Sequence, residues 1–149
     1  MSIILNILKP TSHKSNYWPK CSFFAIYDGH GGSVCADYLR DNLHHFIIKD
    51  SHFPSDPVEA IKKGFDACEK EFINKMALNE AGEVTDRSGS CGLICMIISD
   101  IVYVANVGDS RALMSCNGGE TVLPITIDHK PNEDNESKRI VNYGGRIYQ

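Results

Sequence analysis

The first 22 residues contain no arginine, aspartate or glutamate. That stretch therefore offers neither a guanidinium nor a carboxylate to any site further along. Long apolar runs are missing too, because the longest are broken by pairs such as Ser99-Asp100, and this argues against a membrane span. Met1 to Leu8 is apolar but lacks a basic flank and a small-residue cleavage site, so it does not read as a signal peptide. No Cys-x-x-Cys occurs among the six cysteines, and Cys91 and Cys95 have no second pair or histidine pair to complete a zinc site. Scattered cysteines in apolar segments read as reduced, mostly buried thiols, as expected of a cytoplasmic or nuclear protein. An excess of positive charge is absent as well. The formal net charge of -4 gives no general attraction for nucleic acid or a membrane surface.

What is present fits one soluble domain. The chain has 149 residues, 42% of them hydrophobic and 23% charged, enough for a real core. Ile3-Ile4-Leu5 suggests a short strand, Pro10 to Lys20 a polar loop, and Trp18 a packing residue, but residues 1–22 carry no motif. Ser33 to Lys49 reads as a helix, with Val34, Tyr38, Leu43, Phe46 and Ile47 on one stripe. His44 and His45 lie near its C-terminal end, where imidazoles suit the helix dipole, and are read as structural. Asp56-Pro57-Val58-Glu59 opens a second helix with a cap, a first-position proline and a capping box. Val58, Ile61, Phe65, Cys68, Phe72 and Met76 are expected on its buried face. Asn79 to Arg87 is a polar loop.

From Ser88 onward strands take over. Cys91 to Ile98 and Ile101 to Val107 form a hairpin about Ser99-Asp100, and Arg111 to Cys116 and Glu120 to Leu123 extend it as an antiparallel meander. Asn132 to Asn142 reads as a third helix, with Asn132 as cap, Ile140 and Val141 pointing inward and Gly144-Gly145 closing it. Arg146 to Gln149 starts another strand. Helices followed by a run of strands argue for α+β rather than a parallel doubly wound sheet.

The chemistry concentrates at Tyr27-Asp28-Gly29-His30-Gly31-Gly32, where the aromatic strand Phe23 to Tyr27 ends in a charged, glycine-rich turn. Asp28 offers two hard oxygens to Mg²⁺ or Mn²⁺, the Gly29 carbonyl a third, and the His30 imidazole can pass a proton. No Lys-Ser/Thr follows these glycines, so the run is not a Walker loop. Alone, Asp-Gly is mostly turn chemistry.

Three further segments follow in order: Ser88-Gly89-Ser90-Cys91-Gly92, Val104-Ala105-Asn106-Val107-Gly108-Asp109-Ser110-Arg111, and Asp128-His129-Lys130-Pro131 with Arg139-Ile140 and Gly144-Gly145. Together with the aspartate–glycine turn, they resemble the metal-dependent serine/threonine protein phosphatases of the 2C type. The resemblance spans residues 23–149, after a motif-free segment 1–22. It implies a four-layer α-β-β-α sandwich of antiparallel sheets flanked by helix pairs, incomplete here at both ends. It implies two Mg²⁺ or Mn²⁺ ions, bridged by Asp28, with the Gly29 carbonyl on one of them and Asp128 linked to a weaker third ion. His30 matches the general acid, and Asp109 matches a signature near the site. The implied reaction is hydrolysis of phosphoserine or phosphothreonine in phosphoprotein substrates by a metal-activated water. Cys91 stands where the family commonly has Thr, which suits packing.

The departures are equally specific. The family's upstream phosphate-clamping arginine and acidic segment have no counterpart in residues 1–22, and its later Asp-Gly and Asp-Asn metal-ligand segments are missing. The expectation is an N-terminal portion of a catalytic domain, under-ligated for its cations and with open sheet edges that favour a dimer. The alternative expectation is a catalytically inactive relative or fragment that acts as a binding module.

Overall fold

The computed structural model describes residues 1–148. Its centre is a four-stranded antiparallel sheet in the order β1 (Ser2–Ile4), β2 (Cys21–His30), β3 (Gly89–Ile98), β4 (Ile101–Val107). β2 and β3 pair along their whole length, from Cys21 opposite Ile98 to His30 opposite Gly89. Ser99, at positive φ, turns β3 into β4. Before β2, the Ile7 amide bonds the Cys21 carbonyl at 2.9 Å, and Ile7 itself is buried in the core. The chain before Phe23 thus packs into the same sheet and core as the later strands. Trp18 packs at a tilt against Phe53 with ring centres 5.1 Å apart.

Two helices, α1 (Val34–Lys49) and α2 (Pro57–Phe72), cover one face of this sheet and pack on each other. Phe23, Leu43, Ile47, Ile94 and Met96 are fully enclosed between the layers. Asp56 caps α2 as expected, its carboxylate accepting the Glu59 amide at 3.1 Å, with Pro57 at the first turn. The buried stripe of α2, however, runs through Pro57, Ala60, Ile61, Gly64, Cys68 and Phe72. Small residues draw α1 close: a Cβ on Gly64 would stand 3.0 Å from the Ile47 backbone. That contact line turns Val58 outward, half-exposed, contrary to its expected burial. Met76 is exposed for a different reason. A π-helical turn, Ile73–Ala77, inserts extra rotation after Phe72 and breaks the four-residue spacing.

The strands after β4 do not extend the meander. β5 (Leu113–Cys116) and β6 (Thr121–Pro124) form a separate two-stranded sheet joined through a short turn at Asn117–Gly119. The last helix, α3 (Asp134–Asn142), starts two residues later than the sequence suggests. Glu133, not Asn132, holds its cap position, without a side-chain capping bond. Its closure at Gly144-Gly145 is as expected, with the Gly144 amide bonding Val141 and the Gly145 amide bonding Ile140. Val141 is exposed rather than inward, because among the described residues nothing in α3 is buried. Arg146, Ile147 and Tyr148 form no strand, and Gln149 lies outside the described residues. The result is a mixed α/β fold with antiparallel sheets and one helix pair. No helix is long and apolar enough among these residues to cross a membrane.

Candidate functional site

The buried alternation of β2 stops after Tyr27, and Asp28, Gly29 and His30 emerge as exposed residues at the end of the sheet. Asp28 faces Cys91 across the ladder, Gly29 faces Ser90, and His30 faces Gly89. The His30 imidazole lies directly on the Gly89 backbone, where a Cβ would collide with the ring. Gly89 is therefore what lets the histidine lie flat at the strand end.

The turn then feeds α1. Ser33 at its N-cap makes no capping bond, and a distant residue does so instead. The Ser88 hydroxyl accepts the Cys35 amide at 3.0 Å, while Asp86 accepts both the hydroxyl and the amide of Ser88, the latter at 2.9 Å. A carboxylate is thus relayed to the positive end of the helix. The same loop brings Arg87 beside the glycine turn: its carbonyl would stand 3.1 Å from a Cβ on Gly31. Between α1, α2 and the strand ends lies a cleft of about 410 Å³ lined by His30, Arg87, Ser90, Leu39, Phe65 and Phe72, among others. In the sequence Arg87 is the last residue of a plain polar loop. The feature that points to it is the adjoining Ser88-Gly89-Ser90-Cys91-Gly92 run, which pairs with the aspartate–glycine turn.

A second group of charges gathers beyond β4. Gly108, at φ +101°, lies against Cys91 so closely that any Cβ would clash with the sulfur. The Cys91 thiol donates to the Asp109 carboxylate at 3.4 Å, and Lys130 stands 3.9 Å from that carboxylate. Asn106 uses its side-chain amide to bond both the Gly108 carbonyl at 3.1 Å and the Ile127 carbonyl at 3.2 Å. His129 completes the knot, its amide bonding the Gly108 carbonyl at 2.9 Å while its Nδ1 accepts the Gly108 amide. Asp128 is engaged by the Arg111 guanidinium through two bonds of 3.0 and 2.8 Å, with Lys130 at 3.3 Å. The Arg111 hydrogen bonds, aided by Lys130, hold its carboxyl down at about 2.

The structure thus brings Asp28, Gly29 and His30 to one strand end, and links Asp28 through Cys91 to Asp109. Asp128 is instead bound to Arg111 and Lys130. Among the described residues, no group of three His, Cys, Asp or Glu side chains comes together as a metal site. A hard divalent cation wants about six oxygens, and two such ions want more. Asp28 presents an exposed carboxylate, whereas both oxygens of Asp128 are committed to cations of the protein itself. The residues present do not fit a dinuclear cation site on their own.

The family model described as Protein phosphatase 2C matches residues 4–149. A "Probable protein phosphatase 2C" of Caenorhabditis elegans is 40% identical over 130 residues, which is 87% of this chain and 35% of that protein. "Probable protein phosphatase 2C 11" of Arabidopsis thaliana is 38% identical over 126 residues, 85% of this chain and 32% of that one. Among solved structures, a sex determining protein of C. elegans superposes with a TM-score of 0.71 at 26% identity, over 87% of this chain and 31% of its own. The serine-threonine phosphatase 2C of Toxoplasma gondii shares the fold with a TM-score of 0.69 at 18% identity, over 96% of this chain and 54% of its own. The chain spans about a third of the length of the curated relatives it matches. With its strand-end Asp28-Gly29-His30 turn and the knot at Gly108-Asp109 in place, the chain belongs to the protein phosphatase 2C family.

Proposed function

We propose that this chain supplies the leaving-group side of a protein phosphatase that hydrolyses phosphoserine and phosphothreonine. The observation that carries the proposal is the Asp28-Gly29-His30 run exposed at the end of the central sheet, beside a cleft that also presents Arg87. His30 is the proton donor to the seryl or threonyl oxygen as it leaves, held by its contact with Gly89. Arg87 offers a planar, permanently charged fork to the phosphate oxygens, in place of the upstream arginine that residues 1–22 lack. Asp28 would be one carboxylate ligand for the Mg²⁺ or Mn²⁺ that the family implies, and the described residues do not by themselves supply the remaining oxygens. The substrates are phosphoproteins, and a reducing compartment, cytoplasmic or nuclear, is part of the same proposal.

The lack of any three-donor cluster among the described residues favours a second reading. In it, the chain by itself binds phosphoprotein without turning it over. Hydrolysis of a phosphoserine peptide, with Mn²⁺ and with chelator, separates the two. Under the first reading turnover needs Mn²⁺ and is abolished in Asp28→Ala. His30→Ala then slows phosphoserine hydrolysis by about a hundredfold or more and aryl phosphate hydrolysis much less, because an aryl leaving group needs little protonation. Absence of turnover in folded protein that still binds the phosphopeptide establishes the second.

A further inference from the structure

The acid-free N-terminal stretch plays no part in the site above, yet it holds Lys9, Lys14, Lys20 and His13 in a chain whose formal net charge is negative. The fold sets this stretch against the connection between α1 and α2. Trp18 anchors it, packing on His13 at 5.2 Å and Phe53 at 5.1 Å and donating its indole N–H to the Ile7 carbonyl at 2.9 Å. Lys9 fixes the loop itself by donating to the Ser15 carbonyl. Between loop and connection lies an open cleft of about 530 Å³. Its polar lining is Ser12, His13, Lys14, Lys49, Ser51 and Ser55, with one further serine, and no carboxylate reaches it.

Three details give that lining one electrostatic sign. Three of the four lysines of α2 and its extension are neutralised within a turn, Lys63 by Glu59, Lys70 by Asp66 and Lys75 by Glu71, and Lys62 stands outside the cleft lining. Lys14 and Lys49 form no ion pair among the described residues. The neighbouring Asp50 is occupied elsewhere, accepting both the amide and Nδ1 of His52 at 2.8 Å. His13 Nδ1 accepts the Ser15 amide at 3.2 Å, so the neutral ring carries its proton on Nε2 and is a donor there. The C-terminal dipole of α1 opposes an anion with about half a charge, but two ammonium groups exceed it.

We propose that this cleft binds a phosphate dianion, either free or as the phosphorylated side chain of a peptide. Ammonium, imidazole and hydroxyl donors converging without a competing carboxylate are what a tetrahedral dianion needs. The cleft is remote from His30. The 16-residue α1 begins at the glycine turn and ends at Lys49, about 24 Å away. A substrate or product phosphate can therefore occupy it while the strand-end site is engaged elsewhere.

The test is an amide chemical-shift titration of the full 149-residue chain at constant ionic strength. The titrants are inorganic phosphate, a phosphoserine peptide and its unphosphorylated counterpart. The expected result is saturable shifts at residues 12–15 and 49–55 with phosphate or phosphopeptide, weakened about tenfold in K14Q/K49Q at unchanged thermal midpoint. Whether free phosphate suffices or the peptide is needed identifies the source. Shifts confined to residues 28–32, equal shifts with the unphosphorylated peptide, or undiminished binding by K14Q/K49Q would overturn the proposal.

Discussion

The two faces of the four-stranded sheet are made by the same strands from similar residues, yet their surroundings differ. On the helix-covered face Phe23, Ile94 and Met96 are 0% exposed. On the opposite face Ile26 is 52% and Val102 57% exposed, although β2 and β3 are near-continuous apolar runs. Runs of that kind are typical of strands buried on both sides. Burial on the covered face is therefore decided by where α1 and α2 pack, not by residue type. The open face is equipped for a second layer that the described residues do not supply.

The largest expected effect tests this asymmetry directly. Phe23→Ala should cost about 3–5 kcal/mol of unfolding free energy, through lost transfer and a cavity between the layers. Ile26→Ala, on the open face of the same strand, should cost under about 1 kcal/mol. Urea denaturation of both reads the contrast, and equal losses would abolish it.

An intermediate effect concerns the covered face under acid. His44 packs against Phe23 with ring centres 5.9 Å apart, and burial, aided by the neighbouring His45 charge, pushes its pKa down to about 4. The folded ring holds a proton less readily than the unfolded one, so unfolding takes up a proton. Stability is whole above about pH 6.5 and falls as pH drops toward about 4, by roughly 1–2 kcal/mol once partial hydration of the ring is allowed for. Urea midpoints at pH 7 and pH 5 should diverge in the parent and converge in His44→Gln. Retention of the full acid sensitivity by that variant would place its cause elsewhere.

The smallest effect falls outside the sheet. Arg111→Ala removes a half-exposed guanidinium while Lys130 stays on the shielded Asp128 carboxylate, so the thermal midpoint at pH 7 should fall only modestly. The Asp128 carboxyl should then titrate upward from about 2 toward the ordinary carboxylate range, which NMR titration would register. An unmoved Asp128 would assign its low value to Lys130.

Much of this architecture is legible in the sequence itself. Asp56-Pro57 announces α2, Ser99-Asp100 the hairpin, and Gly144-Gly145 the end of α3, because each is a local device. The strand-end position of Asp28 and His30 likewise comes from an apolar run meeting a glycine turn. What escapes sequence reading depends on contacts between distant segments. Ala60 and Gly64 set the α2 stripe because Ile47 lies against them, and counting only large residues points to Val58 instead. Ser88 caps a helix 53 residues away from it in sequence. His44 suits a helix C-terminus as a cation, but its burial against Phe23 prevails and holds it neutral near pH 7. The commitment of Asp128 to Arg111 is a pairing of two loop residues with no periodicity to betray it.

The Asn106 side chain grips both Gly108 and Ile127, and His129 bonds Gly108 again. The excursion that carries β5 and β6 therefore departs from and returns to the sheet at a single fastening. Residues added or removed at its far tip, Asn117–Gly119, leave the positions of both attachment points unaltered and cost only the slowly rising entropy of a longer closed loop. Such a hasp is a place where lineages can experiment. New length, charge or recognition sequence can be tried there while Asp28 and His30, on the far side of β3, keep their geometry.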